Sequence, residues 1–204
     1  MLRIGSCLVS QGVNGPGKRF VLWFQGCRFR CDGCFNAEFW SEDGGTLVHA
    51  DALVGQITAV PEIEGVTFTG GEPFLQAKEI LYLARRIKSK DLTIVCYTGY
   101  LLEDILQGQV PYGKQVLEYI DILIDGRYVE AEKAPLLWRG SRNQKVHFLT
   151  QKYSHFEPFV QMEGTRNIEL QIGKVGVTIT GIFDWTLWER MKKELEANDE
   201  RIEP

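Results

Sequence analysis

The chain has 204 residues, of which 44% are hydrophobic and 25% are charged, and its net charge is -4. This length suits one domain, and no apolar run approaches the roughly 20 residues that a membrane helix needs. The negative charge disfavours nucleic acid as a partner, because phosphate binding requires a basic surface. The first residues lack the apolar core and cleavage site of a signal peptide. We therefore expect a cytoplasmic protein with no membrane and no nucleic-acid partner.

Predicted strands and helices alternate along the chain as far as Asp125. Branched and aromatic runs predict strands at 19–25, 66–69, 92–97 and 119–124. Apolar residues at helical spacing predict helices at 48–59, 74–88, 101–107 and 114–118. Such alternation indicates an α/β fold with a parallel sheet, in which ligands bind at the carboxyl ends of the strands.

The pattern changes beyond Asp125. A strand is predicted at 146–149, and runs at 168–172 and 177–183 flank Gly173-Lys174-Val175-Gly176, which predicts a β-hairpin. Asp184 is a suitable N-cap for a last helix at 185–197. We interpret residues 1–204 as a single domain in which 151–204 form a C-terminal extension.

Three cysteines, Cys27, Cys31 and Cys34, directly follow the first predicted buried strand. Thiolates at these spacings can converge on one metal centre, and iron-sulfur clusters are held by such runs. A [4Fe-4S] cluster has four irons, whereas this loop supplies three ligands. One iron would remain open to another ligand.

Zinc is the alternative for this loop. The fourth ligand would then be His49, Cys7 or Cys96. Zinc sites usually contain a second pair of ligands at short spacing, and none is visible here. Cys7 and Cys96 are better interpreted as buried apolar residues.

Further motifs accompany the cysteines in a fixed order. Besides the cysteines, these motifs are Asn14-Gly15-Pro16-Gly17, Gly33-Cys34-Phe35-Asn36, Gly70-Gly71-Glu72-Pro73, Thr98-Gly99-Tyr100, Asp125-Gly126-Arg127-Tyr128, Trp138-Arg139-Gly140-Ser141 and Asn143-Gln144. The whole set resembles the radical S-adenosylmethionine superfamily and, within it, the glycyl radical enzyme activases that act on anaerobic ribonucleotide reductase.

The resemblance implies a fold, cofactors and a reaction. The fold would be a partial, open (β/α) barrel of the radical SAM type, followed by the C-terminal hairpin and helix. Cys27, Cys31 and Cys34 would be the catalytic ligands of a [4Fe-4S] cluster whose open iron binds S-adenosyl-L-methionine. One electron, supplied by flavodoxin or ferredoxin, would yield a 5'-deoxyadenosyl radical. This radical would generate a glycyl radical on anaerobic ribonucleotide reductase, the protein substrate.

The same resemblance implies the cofactor-binding residues. The backbone at Gly33 and Phe35 would contact the adenine. The backbone carbonyls of Gly70 and Gly71 would accept hydrogen bonds from the methionine amino group, and Glu72 would add negative charge. Two adjacent glycines suit that role because a backbone without Cβ atoms permits close approach of a ligand.

Asp125 and Arg127 would also contact the cofactor. Similar activases have an Asp-x-Lys pair, and an arginine in place of the lysine can hold a carboxylate through two parallel hydrogen bonds. An ordinary solvated turn is the alternative for this pair. The sequence assigns no role to three nearby residues, Arg139, Arg142 and Asn143.

Two other functions stay open at the level of sequence. One keeps the radical chemistry but acts on a small molecule or a peptide, because residues 151–204 extend past the Asn143-Gln144 motif and can cover the open edge of the sheet. The other is a non-enzymatic zinc-binding module.

Overall fold

A computed structural model describes residues 1–164, 168–173, 176–182, 189–191 and 193–194. The strands are β1 (Leu2–Gln11), β2 (Lys18–Phe24), β3 (Thr46–Val48), β4 (Gly65–Gly70), β5 (Thr93–Tyr97), β6 (Ile122–Asp125), β7 (Lys133–Leu136), β8 (Arg139–Ser141), β9 (Lys145–Phe148), β10 (Ile168–Gly173) and β11 (Gly176–Gly181). The α-helices are α1 (Ala50–Thr58), α2 (Ala77–Lys88), α3 (Leu102–Leu106), α4 (Gly113–Leu117) and α5 (Glu157–Val160).

Seven strands form one mixed sheet in the order β3-β1-β2-β4-β5-β6-β9. The strands β2, β4, β5 and β6 run parallel, as predicted, and their registers bring Phe24 beside Gly70, and Tyr97 beside Ile124. The flanking strands β1, β3 and β9 are antiparallel to their neighbours, and the short connection from β1 to β2 permits only an antiparallel return for that pair. Within the described residues β3 and β9 do not pair, so the sheet is not a closed barrel.

Helices α1 and α2 cover one face of the sheet. Their buried residues recur at helical spacing, for example Ile80, Leu83, Ala84 and Ile87 of α2. They pack with the inward-facing residues of the central strands, including Phe68, into the main hydrophobic core.

The opposite face of the sheet is partly polar. The fully buried Arg19 donates hydrogen bonds to Thr67 Oγ1 at 2.9 Å and to Thr93 Oγ1 at 3.1 Å. A smaller apolar cluster, which includes Trp138 and Tyr153 from the chain after β6, covers another part of this face. Trp23, Thr69 and Tyr97, near the carboxyl ends of their strands, line a cavity.

The predicted C-terminal hairpin is confirmed as the antiparallel pair β10 and β11. Glu169 Oε2 accepts hydrogen bonds from Ser10 Oγ at 2.7 Å and from the Gln11 backbone N-H at 2.8 Å. The hairpin thus attaches to β1. The predicted helix at 185–197 and its cap at Asp184 lie outside the described residues, apart from 189–191 and 193–194, which are helical.

Several predictions need adjustment. The last parallel strand begins at Ile122 rather than at residue 119, and the predicted helix at 74–88 opens with a 3-10 turn, Pro73–Gln76, before α2. The prediction that Cys7 is buried is wrong, since its side chain is exposed on β1, whereas Cys96 is buried. Among the described residues, no helix combines the length and the apolar character needed to span a membrane.

Candidate functional site

A cavity of about 430 Å³ lies at the carboxyl ends of the parallel strands, within the size range of small-molecule sites. Residues that follow β2, β4, β5 and β6 line it. It brings together most of the predicted site residues, namely Cys27, Cys31, Cys34, Phe35, Gly70, Gly71, Glu72 and Arg127. Two predicted residues, Gly33 and Asp125, are not part of the lining.

Backbone hydrogen bonds close the loop that carries the cysteines. The Gly26 N-H donates to the Phe39 carbonyl at 2.8 Å, and the Cys27 N-H donates to the Trp40 carbonyl at 3.0 Å. Inside the loop, the Cys34 N-H donates to the Cys31 carbonyl at 3.1 Å. The three thiols are therefore carried by a short closed loop rather than by an extended segment.

The thiols themselves are partly buried. Burial raises the pKa of Cys27 and Cys31, so both thiols are protonated at neutral pH unless a cation displaces the proton. The Asn36 N-H lies 3.4 Å from Cys34 Sγ, and such a donor stabilises a thiolate. This donor set suits the irons of a cluster.

Across the described ranges, no three His, Cys, Asp or Glu side chains are arranged around one metal ion. A cubane cluster does not require such an arrangement, because each thiolate ligates a different iron. The zinc alternative does require convergence on one ion. Its candidate fourth ligands are elsewhere, since none of Cys7, His49 and Cys96 lines the cavity. The structure therefore favours a cluster over zinc.

Gly70 and Gly71 bring the end of β4 against the start of the cysteine loop. The Gly71 N-H donates to the Phe24 carbonyl and the Glu72 N-H donates to the Gly26 carbonyl, both at 2.8 Å. A Cβ on Gly71 would lie 2.3 Å from the Gly26 oxygen. Gly70 has a φ of 94°, in the left-handed region that favours glycine. These glycines permit close approach of the protein's own backbone, in addition to any ligand.

Glu72 joins the ends of two strands. Its carboxylate is 1% exposed and accepts hydrogen bonds from the Phe74 N-H, from Thr98 Oγ1 and from the Gly99 N-H, at 2.9, 2.9 and 2.7 Å. Burial raises the pKa of Glu72 to about 7, although these donors act in the opposite direction. The carboxyl group thus connects the end of β4 to the end of β5 at the cavity.

Gly33 and Phe35 flank the last cysteine. Gly33 has a φ of 71°, and a Cβ there would lie 2.3 Å from Glu130 Oε2. The Phe35 ring lies edge-on to the Tyr128 ring, with their centroids 5.5 Å apart. Phe35 therefore faces the cavity, whereas Gly33 lets the loop pack against the chain that follows β6.

Asp125 is buried behind the cavity. Its Oδ2 accepts a hydrogen bond from the Leu102 N-H at 2.7 Å and lies 3.1 Å from His147 Nε2. Burial opposes ionisation of this carboxyl group, but the contacts with His147 and Leu102 hold its pKa below the usual value. These contacts position α3 and β9.

Arg127 contacts the cysteine loop. Its guanidinium lies over the Phe29 ring, 4.3 Å from the centroid. The Phe29 ring also packs edge-on with Tyr100, with the two centroids 4.9 Å apart. Arg127 therefore lines the cavity and packs against the loop that carries the thiols.

The loop from Trp138 to Gln144 supports the chain around Arg127. Asn143 Nδ2 donates to the Arg127 carbonyl at 2.8 Å, and Gln144 Nε2 donates to the Gly126 carbonyl at 3.0 Å. Arg139 donates to the Gln144 carbonyl at 2.9 Å and also to the Val160 carbonyl. Sequence reasoning assigned no role to Arg139 and Asn143, because their partners are backbone atoms that no side-chain pattern reveals.

Sequence reasoning also missed part of the cavity wall. Thr178, Ile179, Thr180, Gly181 and Ile182 of the hairpin line it, together with Ser6 and Leu8 of β1. No motif marks these residues, and the hairpin is distant in sequence from the cysteines. Arg142, the third residue without a role, forms an exposed ion pair with Glu163 at 2.8 Å.

Comparison with known proteins supports an iron-sulfur cluster at this site. The family model for the 4Fe-4S single cluster domain matches residues 13–147, which contain the three cysteines, the Gly70–Glu72 segment and the chain up to β9. The match ends before the hairpin begins at Ile168.

Similar curated proteins carry one common name. The anaerobic ribonucleoside-triphosphate reductase-activating protein of Enterobacteria phage T4 is 35% identical over 142 residues, which are 66% of this chain and 86% of the relative. The protein of that name from Escherichia coli K12 is 35% identical over 148 residues, 67% of this chain and 92% of the relative. That of Haemophilus influenzae is 36% identical over 146 residues, 66% and 90% of the two chains. This chain belongs to the family of anaerobic ribonucleoside-triphosphate reductase-activating proteins.

Proposed function

We propose that this protein is a radical S-adenosylmethionine activase that generates a glycyl radical on anaerobic ribonucleotide reductase. The observation that carries the proposal is the cavity, where Cys27, Cys31 and Cys34 face the glycine-rich end of β4. A [4Fe-4S] cluster bound there would supply one electron for the reductive cleavage of S-adenosyl-L-methionine to a 5'-deoxyadenosyl radical. The names of the similar proteins support the reductase as the substrate.

The residues have distinct tasks in this proposal. Cys27, Cys31 and Cys34 would hold the cluster as its catalytic ligands, and three protein ligands would leave one iron for the amino and carboxylate groups of the cofactor. Cys7 and Cys96 cannot close that position as the structure stands, because neither lines the cavity.

The rest of the cavity binds and orients the cofactor. Gly70 and Gly71 would expose backbone to the methionine amino group, and Glu72 would add a carboxyl group held by donors of Thr98 and Gly99, which directly follow β5. The backbone at Phe35 would contact the adenine, whereas Gly33, which lies outside the lining, would act by letting the loop that carries Phe35 pack against the chain after β6. Asp125 acts by positioning the chain that carries Arg127, whose guanidinium would meet a carboxylate if it left the Phe29 ring.

We also infer the architecture of this protein and its partners. The open mixed sheet would be the partial (β/α) barrel of the radical SAM type, and residues 1–204 would form one domain with 151–204 as an extension. Flavodoxin or ferredoxin would supply the electron, and the reaction would take place in the cytoplasm.

The test uses electron spin resonance. The anaerobically reconstituted protein, reduced and mixed with S-adenosyl-L-methionine and the anaerobic ribonucleotide reductase, should give a glycyl radical signal on the reductase. Omission of the cofactor should abolish the signal. A cluster of full iron and sulfide content that yields no such signal would contradict the proposal, and colourless protein containing zinc would support the zinc-binding module.

A further inference from the structure

The hairpin contributes to the cavity through the edge of β11. Side chains of a strand alternate between its two faces, so a strand that lines a cavity with one face contributes every second residue. The strand β1 does this through Ser6 and Leu8. In contrast, β11 and the residue after it contribute five consecutive residues, 178–182, which indicates that the strand edge faces the cavity.

This edge has backbone groups available for pairing. Within the described part of the chain, β11 pairs with β10 alone, in a sheet of two strands. Residues of an antiparallel pair alternate between those that bond across the pair and those whose N-H and C=O point outward. In a hairpin with a two-residue connection, the pair that closes the connection exchanges hydrogen bonds across the two strands. Gly173 and Gly176 are that pair in the register, so the alternation makes Ile179 and Gly181 outward-pointing.

The hairpin is fixed in this position by polar side chains. Besides the contacts of Glu169 with β1, Asn14 Nδ2 donates to Thr180 Oγ1 at 3.0 Å, and both residues are buried. A held strand edge beside a cavity is the arrangement that binds an extended peptide as an additional strand.

We propose that the outer edge of β11 binds the glycine-containing segment of the radical acceptor as an added β-strand. The inference rests on the proposed function and describes how the enzyme recognises its protein substrate. A glycine has no side chain to recognise, so its selection for hydrogen abstraction depends on the residues on either side of it, and pairing with their backbone requires no particular side chain. Backbone pairing along Ile179 and Gly181 supplies that recognition and directs the segment into the cavity that contains the thiols.

Hydrogen exchange of the unmodified protein provides the first test. Excess reductase should slow amide exchange across residues 176–182, because outward N-H groups of β11 become hydrogen-bonded. Exchange of β10 should change less, since its outer edge is remote from the added strand. Unchanged exchange in 176–182, with a reductase that still acquires the radical, would overturn the proposal.

A pair of proline variants provides the second test. Ile179→Pro removes the N-H that faces the added strand, whereas Leu170→Pro changes its cross-strand partner, whose N-H points to the opposite edge. We expect Ile179→Pro to lower the ratio of glycyl radical to 5'-deoxyadenosine about tenfold, as the loss of one or two backbone hydrogen bonds predicts. Leu170→Pro should leave this ratio unchanged. An equal loss in both variants, or no loss in either, would overturn the proposal. A wild-type protein that forms no glycyl radical would instead contradict the proposed function.

Discussion

The two walls of the cavity are built differently. The wall formed by the cysteine loop and the end of β4 is held by backbone hydrogen bonds, and it contains a glycine whose Cβ would overlap a neighbouring carbonyl at 2.3 Å. The wall formed by the hairpin is held by side chains such as Glu169 and Asn14. Ile172 on the hairpin is 85% exposed, whereas the parallel strands are buried.

This difference separates two tasks. A backbone-held loop has few alternative conformations, so it suits a cluster whose ligands must stay in fixed positions. Local opening of a hairpin that is held by a few side chains requires less free energy than opening of the core of the sheet. We expect changes in the first wall to abolish cofactor chemistry, and changes in the second wall to affect delivery of the radical to the partner.

Loss of a cluster ligand should have the largest effect. We expect Cys31→Ala to lose the bound iron and to reduce cofactor cleavage to the detection limit, since two thiolates cannot retain the cluster in place. Iron analysis and 5'-deoxyadenosine formation measure the two losses. The matched control is Cys7→Ser, because Cys7 is an exposed cysteine of β1 outside the cavity. Full activity in Cys31→Ala, or loss in Cys7→Ser, would show that the ligands are assigned wrongly.

A methyl group inside the first wall should have the next largest effect. Gly71→Ala would place Cβ against the Gly26 carbonyl, and relief of that overlap should cost about 3 kcal/mol in the free energy of unfolding and displace the cysteine loop. Urea denaturation and iron content measure both changes. Gly55→Ala in α1 is the control, as its Cβ meets nothing within 4 Å and should stabilise the helix by about 0.5 to 1 kcal/mol. Wild-type stability in Gly71→Ala would contradict the backbone-held wall.

The buried carboxyl group of Glu72 should make the free energy of unfolding of this protein depend on pH. Its folded pKa of about 7 exceeds the ordinary value of 4.5, so the folded state retains a proton that the unfolded state releases. The stabilisation is fully present below 4.5 and is lost as the pH rises through about 7, by up to about 3 kcal/mol.

The variant Glu72→Gln, which cannot ionise, should lack this part of the pH dependence. Thermal unfolding of wild-type and variant proteins without cluster, compared at the two ends of that range, measures the difference. Parallel pH profiles for the two proteins would show that Glu72 does not titrate as described.

A change in the hairpin attachment should have the smallest effect on stability. Glu169→Gln weakens the hydrogen bonds to Ser10 and Gln11, and we expect local opening of the hairpin to become easier by about 1 kcal/mol, with little change in global unfolding. Amide exchange in residues 168–173 detects the opening. The control Glu163→Gln removes an exposed ion pair with Arg142 and should change little. An equal loss of global stability and hairpin protection would mean that the two walls are not independent.

Local patterns were sufficient to predict much of the fold. Branched runs predicted the four parallel strands, and helical spacing predicted α1 and α2, because these elements are buried on a defined face. The flanking antiparallel strands were not recognised as such, since a strand's direction depends on its connection and its neighbours. The boundaries of β6 and α2 also differed, as local propensity does not fix element ends.

The candidate site, like the fold, was predicted only in part from local sequence patterns. The spacing of Cys27, Cys31 and Cys34 and the paired glycines of 70–71 can be read from the sequence, because ligand number and the absence of Cβ atoms are local properties. Only the tertiary structure decided that Arg127 lies over Phe29, that Asp125 is buried beside His147, and that β11 lines the same cavity as the cysteines. Those arrangements join residues far apart in the chain, and their energies arise from contacts that exist only after the sheet has formed.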